Sequence, residues 1–145
     1  MKAATITSLL LAASSVLAAP AKRDGETITI TNLRAHQTET FGLVTFDIHD
    51  PAYTPNDSAT VAWAIPGQPP ADTWSASHNY TVQFPDGVHS IEFLIFDLDR
   101  ADNSGSVQVA LNSNAADSTY SCGSDGNGGT ACAFPSPIVL PVNSS

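Results

Sequence analysis

This sequence predicts an all-β domain, a two-sheet antiparallel β-sandwich or β-barrel of about seven strands. Two observations lead there. Short runs of β-branched and aromatic residues recur at fairly even spacing, divided by Pro, Gly, Asn and Asp clusters. No segment beyond residue 24 keeps a helical period.

Before the first strand, the sequence reads as a leader. Met1-Lys2, the apolar run 6–17 and the small exit Val16-Leu17-Ala18 are the parts of a secretory signal peptide, residues 1–18. Residues 19–23 form a short propeptide ending in the dibasic pair Lys22-Arg23, so the single secreted domain is expected to span 24–145.

The elements then follow in order. Thr27-Ile28-Thr29-Ile30-Thr31 alternates apolar and polar, as a half-buried strand does. Val44, Phe46 and Ile48 repeat the pattern, and so do Val61, Trp63 and Ile65 before Pro66-Gly67 ends the run. Tyr80, Val82 and Phe84 precede the turn Pro85-Asp86-Gly87. The run 91–98 is apolar at both parities, which predicts a central strand covered on both faces. Val107, Val109 and Leu111 make a sixth strand, and Ile138-Val139-Leu140 a short seventh, placed at an edge because Pro137 and Pro141 flank it. Segments 64–71 and 112–121 read as loops within one domain.

Charge narrows the function. Past residue 23 only Arg34 and Arg100 are basic, against all 14 acidic residues, a net charge of −12 with histidines neutral. Such a chain repels phosphate backbones and anionic lipid, so neither nucleic acid nor membrane insertion is expected of it. The two cysteines, Cys122 and Cys132, enclose a Gly-rich stretch and in a secretory compartment read as one disulfide; their spacing fits no zinc pattern and no histidine lies nearby.

The layout resembles a known family. A signal, a dibasic propeptide, an opening strand over 26–33, a tryptophan such as Trp74, and a closing Cys-(Gly-rich)-Cys followed by Ile138-Val139-Leu140-Pro141-Val142 are similar to fungal secreted proteins of the Alternaria major-allergen type. The tail 122–142 is the most specific part. The resemblance implies a β-barrel of two sheets acting outside the fungal cell, in several members as an elicitor of plant defence, with no catalytic residues. Members usually carry a second intrachain disulfide, where this chain has Trp63 and Ser77. The N-terminal cysteine that dimerises some members is also missing, so a covalent dimer is not expected.

Candidate chemistry is sparse. Asp97 and Asp99 share a face at strand spacing and, with Asp102 and Asn103, offer oxygen ligands for Ca²⁺ or a carboxylate pair for glycoside hydrolysis. The segment fails the EF-hand pattern, and an Asp-, Asn- and Gly-rich hairpin turn with Arg100 as local counter-ion accounts for the same residues. His36, His49, His78 and His89 form no ligand motif, and neither a nucleophile elbow nor a phosphate loop occurs. His49-Asp50 before Pro51 reads as a strand exit. Trp63 belongs to the core, whereas Trp74 is the choice for an exposed ligand-binding aromatic. Three sequons mark N-glycosylation candidates: Asn56 in a loop, Asn79 beside a strand, and Asn143 near the C-terminus.

Three functions are therefore set out. The first is a non-enzymatic effector or elicitor that engages a host plant protein or cell-surface receptor and needs no cofactor. The second is a small-ligand or carbohydrate-binding module built on Trp74. The third, ranked last, is a hydrolase using Asp97 and Asp99.

Overall fold

The structure, a computed structural model, describes residues 26–144. The expected signal peptide, propeptide and mature start at Asp24 lie outside the described residues. Ten strands are present among those described, where about seven were expected: β1 (Thr27–Gln37), β2 (Phe41–Asp50), β3 (Tyr53–Ala64), β4 (Thr73–Trp74), β5 (Tyr80–Gln83), β6 (Phe93–Arg100), β7 (Ser106–Asn112), β8 (Ser121–Ser124), β9 (Thr130–Ala133) and β10 (Ile138–Pro141). They form two antiparallel sheets. One runs β3-β2-β1-β9-β8 with β10 also on β1, and the other runs β4-β5-β6-β7.

β1 organises the larger sheet. Its first half pairs with β10 and its second half with β9, while β2 lies along its other side. A bulge between Thr31 and Arg34 makes this possible, with Asn32 at φ 53°, a conformation asparagine tolerates. The extra residue also switches the inward parity, so Ile28 and Ile30 face the core before the bulge and Leu33 and Ala35 after it. This is why the clean sequence alternation stops at Thr31.

The core lies between the sheets. Phe46 of β2 stacks on Phe96 of β6 with ring centroids 5.0 Å apart, and Phe84 meets Phe96 at 5.7 Å. Trp63 is a core residue, as its parity required. β6 is interior to its sheet, but the expected two-sided cover is wrong: Leu94, Phe96 and Leu98 are fully buried while Phe93 is 54% exposed. A turn at Ser90–Phe93 shifts the parity, so the buried Ile91 precedes the strand instead of sharing its outer face.

One other expectation changes, and two further elements come into view. Asn56 lies in β3 and not in a loop, because Pro55 sits on the sheet's edge strand, where a missing N–H removes no ladder bond. The segment enclosed by the cysteines is a β-hairpin: Cys122 and Cys132 are directly opposed on β8 and β9, and a disulfide joins them. Trp74 belongs to the two-residue β4. Replacing both cysteines by serine is expected to cost about 2–3 kcal/mol, read as the loss of urea-unfolding free energy against the parent chain.

β3 is tied to the opposite sheet without sulfur. The Asp57 carboxylate accepts from the Ser75 hydroxyl at 2.5 Å and from the amides of Ser77 and Ser58 at 2.9 and 2.8 Å. The Ala76 amide also donates to the Ser58 carbonyl, so the turn after β4 hangs on β3. Burial pushes the Asp57 carboxyl up, but the serine hydroxyl and the two amides outweigh it and hold it below the usual range. Ser77 thus serves a polar tie through its backbone amide.

Candidate functional site

The outer face of the smaller sheet carries the most chemistry. Directly opposed residues on antiparallel strands share a face. Trp74 opposes Thr81, Thr81 opposes Asp99, and Asp99 opposes Ser106, which makes one row across four strands. The next row is Gln83, Asp97 and Gln108. Trp74 is 48% exposed, with the His78 ring 6.0 Å from its own. Trp74, Thr81, Gln83, Asp99, Arg100, Ala101, Asn103 and Gly105 line a groove of about 220 Å³, although the Arg100 side chain itself is buried.

The fold therefore brings together two residues singled out separately in the sequence, Trp74 and Asp99. Burial, and then the neighbouring Asp97 charge, push the Asp99 carboxyl above its ordinary value. Asp97 is engaged differently, accepting from the Gln108 side-chain amide at 2.8 Å. Asp102 lies past the strand end, where it caps the turn by accepting from the Ser104 amide at 2.9 Å; the Ser104 contacts hold its carboxyl low. Among the described residues no group of three or more His, Cys, Asp or Glu side chains is arranged to hold a metal ion, so Asp97, Asp99 and Asp102 do not make one.

Behind the groove, Arg100 turns inward. Its expected role as counter-ion to the turn is the smaller part of its work: its charge is the last of the causes that lower Asp102, while strand alternation places its side chain on the core side with Leu94, Phe96 and Leu98. Its guanidinium donates to both Asp50 oxygens at 2.8 Å and to Glu26 at 2.8 Å, and lies 5.9 Å over the Tyr53 ring. The Tyr80 hydroxyl donates to Asp50 at 2.7 Å. Burial alone would lower the Arg100 proton affinity, but Asp50 and Glu26 raise it instead; burial, then Asp50, pushes the Tyr80 hydroxyl up. Asp50 was read only as a strand exit. A usable signal existed: it extends the inward series Val44, Phe46, Ile48, just as Arg100 extends Leu94, Phe96, Leu98 and Asp57 precedes Ala59, Val61, Trp63.

A second groove of about 320 Å³ lies elsewhere, lined by Gln37, Thr38, Glu39 and residues 90–92. Near it, the His36 ring meets Asp125 at 2.7 Å in the β8–β9 turn, and Asp125 also accepts from the Asn127 and Gly129 amides at 2.7 and 2.8 Å. Those contacts, His36 first, hold the Asp125 carboxyl at about 2. A depressed carboxyl stabilises above its unfolded value of about 4 and loses that contribution as pH falls through its folded one. Hydrogen-exchange protection of the Asn127 and Gly129 amides is expected to persist to about pH 3 and collapse below it, as NMR would read residue by residue.

Of the glycosylation candidates, Asn56 and Asn143 are exposed, whereas Asn79 is partly covered and its carbonyl accepts from the Ala101 amide.

No protein-family model matches the chain, and no curated protein does. Among solved structures the chain is similar to the crystal structure of the Alternaria alternata allergen Alt a 1, at 10% sequence identity and a TM-score of 0.36, over 88% of this chain and 95% of that one.

Proposed function

We propose that the chain is an exported, non-enzymatic recognition protein of the effector or elicitor kind, which engages a host plant protein or cell-surface receptor and so triggers or modulates plant defence. The observation that carries this reading is the half-exposed Trp74, in one row with Thr81 and Asp99, lining a groove on the outer face of a disulfide-bearing all-β scaffold. Exposed aromatic side chains among polar ones are what contact surfaces present. The disulfide favours an oxidising, extracellular compartment, in keeping with the leader-like residues 1–23. Both cysteines are spent on each other, which favours a partner held without covalent linkage. In this reading the protein takes no cofactor, and Asp97 and Asp99 bind instead of reacting.

Leaf infiltration tests it. Purified native protein at micromolar dose is expected to provoke an oxidative burst or local cell death, and reduced, alkylated and heat-denatured protein is not. Silence of the native protein in several plant hosts would overturn the proposal.

A further inference from the structure

We propose that the Trp74 groove receives a lysine or arginine side chain of a basic partner protein, with the indole as one wall and Asp99 as counter-charge. The inference rests on the recognition reading and names the chemistry of its partner.

Three observations converge on it. The groove is bounded by an indole that is 48% exposed, and tryptophan is the side chain whose ring face best attracts a cation. Asp99 faces that groove with no cation of its own among the described residues. Arg100 points to the other side of the sheet and is held by Asp50 and Glu26, and Arg34 lies in the other sheet, opposite Thr45 and Ala133. Neither arginine among the described residues therefore supplies a positive charge to Asp99, which leaves the position open to a partner's. An arriving ammonium or guanidinium would also relieve the repulsion between Asp99 and Asp97. Thirdly, beyond residue 23 the chain carries a net charge of −12, a field that draws basic partners and turns away anionic ones. A neutral sugar could stack on Trp74 and bond to Thr81 and Gln83, but it would leave the Asp99 charge uncompensated.

The test uses protein secreted by a yeast host, titrated at low salt with octalysine while the Trp74 indole N–H resonance is followed by NMR. Spermine and cellohexaose serve as competing probes, and Trp74→Ala, Asp99→Asn and Asp86→Asn as variants. Octalysine is expected to move the Trp74 resonance, and its Kd to rise about five- to tenfold in Trp74→Ala and in Asp99→Asn, with the former followed by calorimetry. Asp86→Asn removes the same charge from an exposed turn residue outside the groove lining and is expected to change Kd by less than about twofold. Equal weakening in Asp86→Asn would reduce the effect to net charge and overturn the inference. Binding of spermine as tight as octalysine would overturn it in favour of a free polyamine, and a Trp74 response to cellohexaose alone in favour of a neutral glycan. Active leaves with no octalysine binding would sink this inference and leave the effector reading standing; silent leaves with groove-specific binding would do the reverse.

Discussion

Truncating Asp50 to alanine is expected to remove about 3–5 kcal/mol of unfolding free energy and to lower the thermal midpoint by about 10 °C or more. Asp50 is 5% exposed, and its carboxylate accepts two bonds from Arg100 and one from Tyr80. Without it the guanidinium keeps Glu26 but loses its fully buried partner, and the Tyr80 hydroxyl loses its acceptor. The cost is that of stranding a charge and a donor where water does not reach, not the worth of the bonds themselves. A companion variant separates the two. Asp50→Leu combined with Arg100→Met removes the buried pair together and is expected to recover much of the loss, because apolar replacements of whole buried pairs are often neutral. Urea unfolding followed by circular dichroism reads both; equal losses in the single and double variants would mean that side-chain packing, and not the unpaired charge, sets the cost.

The second large effect lies in the core. Phe96→Ala is expected to cost about 3–5 kcal/mol, since the ring is fully buried between Phe46 and Phe84 and a strand held on both sides cannot collapse into the space. Phe93→Ala, three residues earlier on the same strand but 54% exposed, is expected to stay within about 0.5 kcal/mol. The two together test the one-sided burial of β6. A Phe93 cost approaching that of Phe96 would restore the two-sided cover that the sequence alone suggests.

That contrast also shows what the sequence made legible. Period-two alternation located β2, β5 and β7 with their correct faces, because each is a simple half-buried strand. It failed where backbone irregularity intervened: the bulge at Asn32–Leu33 hid the second half of β1, and the turn at Ser90–Phe93 put Ile91 and Phe93 on a common face that they do not share. β8 and β9 were invisible because Ser-Cys-Gly-Ser and Thr-Ala-Cys-Ala carry almost no strand-favouring residues; their pairing comes from β1 and the disulfide. The site was half legible. Trp74 and Asp99 could each be named, but their place in one row, with Thr81 between them, depends on the β4–β5–β6 register, which no local pattern encodes. The buried charges were legible in principle, Asp50 and Arg100 each continuing an inward series at a strand end and Asp57 preceding one within β3, and were missed by treating charge as a sign of solvent.

The Asp57 tie has a consequence for how this molecule comes apart. A thiol reagent can open only the β8–β9 hairpin, at the far margin of the larger sheet, because the latch joining the two layers contains no sulfur. Protons, by contrast, act on that latch directly: its carboxyl is held below the ordinary range, so it stays shut above about pH 4 and releases only in stronger acid. Reducing surroundings would thus fray one corner of the protein and leave the rest closed, whereas strong acidity would loosen the hold of β3 on the turn after β4, with the core and the Asp50–Arg100 pair still joining the sheets.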